Sequence, residues 1–232
     1  MKITVVGASG LIGTRVTELL KSRGHDVIAS SRATGLDVLT GAGLPEALAG
    51  ADALVDVTNS PSFEPDAVME FFTKGATNIA AAARAAGVGH YVALSIVGVD
   101  GLPDSGYFRA KVAQEKVITE SRIPYTILHA TQFAEFADAI TESMTVGDEV
   151  RVPDALIQPV SADQVAAAVA DAAAGEPANE IVNVAGPEKI SFEQLARDAL
   201  ARNGDRTKTV IVDPEARYFG AKLATNSLVT PG

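Results

Sequence analysis

Three side chains in the middle of the sequence have the types and spacing needed to protonate a carbonyl oxygen. Tyr107 and Lys111 stand four residues apart in a segment with a helical pattern, so they share one face of a helix. Ser95 ends a predicted strand twelve residues earlier. A phenol with a pKa of about 10 is a weak acid, and a nearby ammonium group lowers that pKa. We therefore predict Tyr107 as the general acid, Lys111 as the cation that activates it, and Ser95 as the group that polarises the carbonyl.

Glycine occupies every third position of a turn near the start of the chain, which reads Gly7-Ala8-Ser9-Gly10-Leu11-Ile12-Gly13. An apolar β-type run precedes this turn, a helical stripe follows it, and a second β-type run begins at Val27. In this setting glycines permit a sharp turn, a close approach of the backbone to a pyrophosphate, and tight packing of helix against strand. The turn therefore predicts a dinucleotide site at the helix N-terminus. The predicted cofactor-binding residues of the turn are Gly7, Ser9, Gly10, Leu11, Ile12 and Gly13.

The end of the second predicted strand indicates which dinucleotide is bound. Many NAD-binding units carry an acidic residue there, which accepts hydrogen bonds from the ribose hydroxyls. This chain reads Ser30-Ser31-Arg32, without a carboxylate. A guanidinium group offers a planar fork of donors and a permanent charge, both suited to a 2′-phosphate. We therefore predict that the chain prefers NADP(H) over NAD(H), with Ser31 and Arg32 at that phosphate.

The elements that must position these groups alternate between strands and helices. Apolar β-type runs lie at 3–6, 27–30, 53–57, 91–95 and 125–128, and helical patterns separate them. This alternation predicts an α/β fold of the Rossmann type, with a doubly wound parallel sheet and right-handed crossovers. Small or polar residues follow these runs, at the end of the sheet where ligands of such folds bind.

We predict a single domain over residues 1–232, of which 1–132 form the dinucleotide-binding core. Residues 133–232 combine further core elements with a small C-terminal region that covers the substrate side. Two capping boxes, which begin at Ser161 and Ser191, predict helices within this last part of the chain.

Composition and charge narrow the class of protein. The 232 residues are 47% hydrophobic and 21% charged, which is ordinary for a globular protein. A net charge of −10 argues against nucleic acid and against an anionic membrane surface as partners. The absence of cysteine excludes disulfides and thiol chemistry. With neither a signal-peptide pattern nor an apolar run of transmembrane length, we expect a soluble, cytoplasmic protein that binds a small-molecule substrate, as a monomer or a homo-oligomer.

Other candidate chemistry finds little support in the sequence. His25, His90 and His129 are far apart and form no metal-binding pattern, so we predict no metal site. A second pair with the Tyr-x-x-x-Lys spacing, Tyr218 and Lys222, lies after the last predicted strand and has no serine-tipped strand before it. We interpret this second pair as coincidental.

These segments resemble the short-chain dehydrogenase/reductase superfamily, and within it the atypical NmrA-like or isoflavone-reductase-like branch. The resemblance covers most of the chain and is carried by Gly7–Gly13, Ser31-Arg32, Asp37-Val38, Asn78, residues 87–92 leading to Ser95, Tyr107 with Lys111, residues 123–126, Gln132-Phe133 and Pro159-Val160-Ser161. It implies that Asp37 and Val38 lie against the adenine of the cofactor. It also implies that Thr58 and Asn59 line the cofactor and that Phe133 lies close to the nicotinamide.

Members of this branch often lose the tyrosine while keeping a lysine, and some bind the dinucleotide as sensors without turnover. The presence of both Tyr107 and Lys111 favours an enzyme. We therefore predict an NADPH-dependent oxidoreductase that reduces a carbonyl or quinone-like small molecule. Two alternatives stay open, namely a non-catalytic NADP(H)-sensing regulatory protein of the NmrA type and an epimerase or dehydratase that retains its nicotinamide. The short loop between Arg32 and Asp37 also predicts that the usual third strand is reduced.

Overall fold

The structure is a computed structural model that describes residues 1–231. Its strands are β1 Lys2–Val6, β2 Asp26–Ser30, β3 Ala53–Asp56, β4 His90–Ile96, β5 Tyr125–Ala130, β6 Thr145–Val146, β7 Glu149–Val152, β8 Leu156–Ile157, β9 Glu180–Val184, β10 Ile190–Ser191, β11 Thr209–Val212, β12 Arg217–Tyr218 and β13 Ala221–Lys222. Its α-helices are α1 Leu11–Ser22, α2 Leu44–Leu48, α3 Pro65–Ala86, α4 Gly106–Glu120, α5 Ala137–Ser143, α6 Ala162–Ala174 and α7 Phe192–Arg202. Short 3₁₀ helices lie at Arg32–Thr34, Val99–Gly101 and Ala134–Phe136.

The central sheet consists of six parallel strands in the order β2-β1-β3-β4-β5-β9. Strand β1 pairs with β2 on one side and with β3 on the other, so the direction of winding reverses at β1. A reversal of this kind opens a crevice at the carboxyl ends of the strands. The predicted doubly wound α/β fold of the Rossmann type is thereby confirmed. Strand β2 lies at the edge of the described sheet. A 3₁₀ helix at Arg32–Thr34 follows it, in the segment where the sequence predicted that the usual third strand is reduced.

Helices cover both faces of this sheet because each carries one apolar stripe. On one face α1 packs against α6, and Val16, Leu20 and Val165 are fully buried there. On the other face α3 packs against α4, with Ile79 and Ile118 in the core. Strands buried on both faces are mostly apolar, as the sequence runs predicted, and carry polar side chains such as Asp56, Ser95 and His129 towards their carboxyl ends. None of the helices within residues 1–231 has the length and hydropathy that a membrane span requires.

The last third of the chain forms a second hydrophobic cluster beside the sheet. Strand β11 pairs with β7 in parallel, and β12 and β13 form a hairpin. Phe192 of α7 and Tyr218 of β12 belong to one cluster with Val99 and Phe108, which follow the carboxyl end of β4. Leu228 is fully buried in the same cluster. These elements therefore pack beside the end of the sheet at which a ligand of this fold is expected.

Candidate functional site

The turn between β1 and α1 requires glycine at two positions. Gly7 has a φ of +89°, and a Cβ atom there would lie 2.8 Å from the carbonyl oxygen of Val57. A Cβ atom at Gly13 would overlap the carbonyl oxygen of Gly7. Gly10 is the N-cap of α1, and no side chain of the described residues caps this helix. The first amides of α1 therefore remain available to an anion such as a phosphate.

A cavity of about 420 Å³ adjoins this turn at the carboxyl ends of β1, β3 and β4. Its wall contains many of the predicted site residues: Gly7, Ser9, Gly10, Leu11, Ile12, Ser31, Thr58, Asn59, Ser95, Tyr107, Lys111 and Phe133. The rest of the wall is apolar and was not identified from the sequence: Val6, Leu36, Val57, Phe71, Leu94, Ile96 and Phe136. The structure thus brings the glycine turn and the predicted Ser–Tyr–Lys group to one cavity.

Two of the predicted cofactor residues lie beside this wall rather than in it. Gly13 is buried within α1, where it allows the helix to pack closely against its own preceding turn. Arg32 is exposed at the start of the 3₁₀ helix, directly after Ser31 in the cavity wall. Contact of Arg32 with a 2′-phosphate stays a prediction.

Asp37 and Val38 also lie outside the cavity wall and support the loop after β2. The carboxylate of Asp37 accepts a hydrogen bond from the backbone N–H of Leu39 at 2.8 Å, which stabilises the local turn. Val38 is buried, and its side chain lies against Gly75 of α3. Leu36, which directly precedes them in the sequence, does line the cavity. Contact of Asp37 and Val38 with an adenine stays a prediction.

Tyr107, in the first turn of α4, donates a hydrogen bond from its hydroxyl to Oδ1 of Asn59 at 2.9 Å. Its ring packs edge-on against Phe72 and is stacked with Phe219, with centroids 5.8 and 5.4 Å apart. This burial raises the pKa of Tyr107 to about 12, and the hydrogen bond to Asn59 counteracts it only in part. The prediction that the pKa of Tyr107 is lowered by Lys111 is therefore wrong for the free protein, because aromatic burial dominates.

Lys111 lies one helical turn further along α4, and its ammonium group is fully engaged away from Tyr107. It donates hydrogen bonds to the backbone oxygen of Leu94 at 2.8 Å and to the side-chain oxygen of Gln114. Its Nζ atom also lies 4.6 Å from the centroid of the Phe72 ring. Burial lowers the pKa of Lys111 to about 8, although the charges of nearby carboxylates act in the opposite direction.

Ser95 lies in the cavity wall, but its hydroxyl points to a buried carboxylate. It donates a hydrogen bond to Oε1 of Glu115, on α4. To polarise a substrate carbonyl, as predicted, Ser95 would have to donate its hydroxyl proton to that carbonyl. In this structure it donates that proton to the carboxylate of Glu115 instead. An ionised carboxylate is a stronger acceptor than a neutral carbonyl. Glu115 was not predicted from the sequence, where it resembled a solvated helix-face residue.

Asp56, at the end of β3, is a second buried carboxylate that the sequence did not identify as functional. Its Oδ1 accepts hydrogen bonds from the N–H and the hydroxyl of Thr58, at 3.1 and 2.7 Å. Its Oδ2 accepts hydrogen bonds from Tyr91 and Gln114, each at 3.0 Å. Asp56 therefore connects the cavity loop that contains Thr58 to the side chain that holds Lys111. An acidic residue closing an otherwise apolar strand was the available signal.

The second Tyr-x-x-x-Lys pair does not form a site of its own. Tyr218 is buried against Phe192, and this burial raises the pKa of its phenol. Lys222 pairs with Glu215 at an exposed position. Between the two, however, the hairpin places Phe219 on the ring of Tyr107, a contact that the sequence did not predict. Within residues 1–231 no group of three His, Cys, Asp or Glu residues is placed to hold a metal ion.

Comparison with known proteins connects this cavity to nucleotide binding. A family model described as NAD(P)H-binding matches residues 7–176. A curated relative, the (4-alkanoyl-5-oxo-2,5-dihydrofuran-3-yl)methyl phosphate reductase of Streptomyces griseus subsp. griseus, is 32% identical over 215 residues. That alignment covers 84% of this chain and 72% of the relative.

Solved structures share the fold at lower identity. The triphenylmethane reductase of Citrobacter sp., complexed with NADP(H), gives a TM-score of 0.70 at 22% identity, over 92% of this chain and 79% of that chain. MoeE5, in complex with UDP-glucose and NAD, gives a TM-score of 0.71 at 17% identity, over 91% of this chain and 88% of that chain. One of these neighbours holds a phosphorylated and the other a non-phosphorylated dinucleotide, so the shared fold accommodates both cofactors.

Proposed function

Because the chain belongs to the family of NAD(P)H-binding proteins and has a reductase among its relatives, we propose that it is an NADPH-dependent oxidoreductase that reduces a carbonyl or quinone-like small molecule. One observation carries this proposal. The uncapped N-terminus of α1 and the hydroxyl of Tyr107 belong to the same cavity, so a dinucleotide on the glycine turn has a proton donor within its reach.

The residues of the cavity fit a phosphorylated dinucleotide. The glycine turn offers backbone amides to the pyrophosphate, and its shape depends on Gly7 and Gly13, where a side chain would collide with the backbone. Ser31 in the wall and the exposed guanidinium of Arg32 beside it support a 2′-phosphate, hence NADPH rather than NADH. Phe133, which also lines the cavity, offers an apolar surface to the nicotinamide.

In the proposed reaction the cofactor supplies the hydride, and the protein supplies the proton. Tyr107 is protonated at neutral pH because its pKa lies at about 12, so it has the proton that the carbonyl oxygen requires. Once that proton has left, Lys111, one turn away on α4, stabilises the phenolate only if its ammonium group turns from Leu94 and Gln114 towards Tyr107 when the ligands bind. Solvent then restores the proton on Tyr107.

A non-catalytic NADP(H) sensor is the second candidate, and one observation favours it. In the free protein the hydroxyl of Tyr107 is bonded to Asn59 and that of Ser95 to Glu115, so both predicted donors already have acceptors. A protein that only senses the dinucleotide has no need to release them. The two functions differ in whether NADPH is consumed.

The test follows NADPH absorbance over a panel of ketones, aldehydes and quinones, with NADPH affinity measured separately. Tyr107→Phe removes the proton donor, and turnover is expected to fall at least about a hundredfold while NADPH affinity stays nearly unchanged. Tyr125→Phe, at the amino end of β5 and outside the cavity wall, is the matched control and should retain activity. Saturable NADPH binding without consumption over the whole panel would favour the sensor.

A further inference from the structure

Ser95 of the cavity wall belongs to a group of three largely buried polar side chains, whose other members are Glu115 and His129. Ser95 of β4 and His129 of β5 are direct partners across the parallel pair, and Glu115 reaches both from α4. Ser95 is 4% and His129 8% exposed, and the side chain of Glu115 is 14% exposed. Neither the proton donor Tyr107 nor its neighbour Lys111 makes a hydrogen bond to this group in the structure.

Both neighbours use the same oxygen of Glu115. Ser95 bonds to Oε1, and Nε2 of His129 lies 2.9 Å from that atom. A carboxylate only accepts hydrogen bonds, so the serine hydroxyl and the histidine N–H are both donors. Rotating the carboxylate away from Ser95 would also break the bond to His129 and leave a buried N–H without a partner. His129 therefore holds Glu115 in the orientation that engages Ser95.

This arrangement determines what Ser95 can offer to a ligand. A serine hydroxyl has one proton and two lone pairs, and the proton is given to Glu115. Hydrogen bonds to an ionised acceptor are about twice as strong as those between neutral groups, so a neutral carbonyl in the cavity does not compete for the proton. Towards the cavity, Ser95 therefore has only acceptor capacity.

We propose that Glu115, held by His129, is a positioning residue that fixes Ser95 as a hydrogen-bond acceptor, so that the ligand group at Ser95 is an O–H or N–H donor. Two sources fit this chemistry, namely the carboxamide N–H of a nicotinamide and the hydroxyl of an alcohol. The identity of the ligand rests on the proposed function, whereas the arrangement of the three side chains does not.

The arrangement itself is tested without any ligand, by a double-mutant cycle in urea unfolding. Ser95→Ala and Glu115→Met each remove one partner of the bond, and the double variant should lose less stability than the two single losses combined. Glu120→Met, on an exposed turn of the same helix, is the control that should show no coupling to Ser95→Ala. Additive losses for Ser95 and Glu115 would overturn the proposal.

The donor preference is tested with matched pairs of probes. NADPH and the reduced 3-acetylpyridine analogue differ in the carboxamide N–H₂, which the analogue replaces by a methyl group. If the donor is the carboxamide, the unmodified protein binds NADPH roughly three- to tenfold more tightly than the analogue, and Ser95→Ala removes that preference. Glu115→Gln should keep it, since an amide oxygen still accepts the serine proton, and Glu115→Met should lose it.

A second pair of probes tests whether the hydrogen-bond donor to Ser95 is the hydroxyl of an alcohol. 1-Phenylethanol with NADPH and acetophenone with NADP⁺ form complexes in which no hydride can be transferred. If the donor is an alcohol, Ser95→Ala weakens 1-phenylethanol roughly three- to tenfold and leaves acetophenone unchanged. The proposal would be overturned if the cofactor binds but Ser95→Ala changes the relative affinities in neither pair of probes. It would also be overturned by a preference for acetophenone over 1-phenylethanol that depends on Ser95. Failure of the proposed function is distinguishable, because it appears as an absence of NADPH consumption over the panel of ketones, aldehydes and quinones, and the double-mutant cycle does not depend on it.

Discussion

The buried ammonium group of Lys111 makes the stability of the protein depend on pH in a direction that few lysines produce. Burial lowers the pKa of Lys111 from an ordinary 10.5 to about 8 in the folded chain. Between these two values the unfolded chain binds a proton that the folded chain has released. Stability therefore rises with pH across this interval, since it rises wherever the unfolded state binds more protons.

The size of the effect follows from the same two values. Each unit between the folded and unfolded pKa corresponds to 1.36 kcal/mol, so the full difference is about 3 kcal/mol, and about 2 kcal/mol of it accrues between pH 8 and pH 10. Tyr91, Tyr107 and Tyr218 act in the opposite direction, because burial raises the pKa of each phenol and the folded chain keeps protons that the unfolded chain begins to lose near pH 10. The contribution of Lys111 is therefore the difference between the unmodified protein and a variant without the ammonium group, measured from pH 8 to pH 10.

Urea unfolding of the unmodified protein at pH 8, 9 and 10 measures this dependence. Lys111→Met replaces the ammonium by an apolar group of similar length, and its free energy of unfolding should lack the rise. Lys116→Met, at an exposed position of the same helix, should keep the rise and serves as the control. A change in the free energy of unfolding between pH 8 and pH 10 that is the same in the unmodified protein and in Lys111→Met would refute the reasoning.

Further predictions concern the turn, the cofactor and the hairpin. Gly13→Ala should abolish saturable NADPH binding and lower the urea midpoint, because its Cβ overlaps a backbone oxygen, whereas Gly10→Ala meets only ordinary contacts and should fold normally. Arg32→Ala should weaken NADPH at least about tenfold and change NADH little, as measured by titration; equal losses would contradict the preference for NADPH. Phe219 has a φ of +47°, so the free energy of unfolding of Phe219→Gly should be about 1 kcal/mol higher than that of Phe219→Ala, as measured in urea. Equal free energies of unfolding would show that the backbone is not strained there.

Local patterns in the sequence predicted local structure well. The glycine turn, the helix after it and the edge strand β2 follow from residues within one short segment. Ser161 and Ser191 cap α6 and α7, each accepting a hydrogen bond from the backbone N–H three residues later, but only Ser161 forms the complete predicted capping box, because the side chain of Gln194 bonds Asp198 instead. Helical spacing also predicted that Tyr107 and Lys111 lie one turn apart on α4. These features need no information about what packs against them.

The partners of the site residues were beyond such patterns because they come from distant parts of the chain. The acceptor of the Tyr107 hydroxyl is Asn59, 48 residues away, and the acceptor for Ser95 is Glu115, on a different element. Burial decides the sign of the pKa shifts of Tyr107 and Lys111, and that burial depends on the whole fold. The stacking of Phe219 on Tyr107 likewise requires a hairpin whose tip holds a non-glycine residue at positive φ.

The central claim is that a nicotinamide dinucleotide lies on the glycine turn with its ring beside Tyr107. A crystal structure of the protein with NADP⁺ tests it most directly, through the position of the nicotinamide ring relative to the hydroxyl of Tyr107. We predict the pyrophosphate at the amides that begin α1, the ring against Phe133, and the Tyr107 hydroxyl facing the ring. A dinucleotide bound away from the turn, or a ring outside the cavity that Tyr107 lines, would contradict the account.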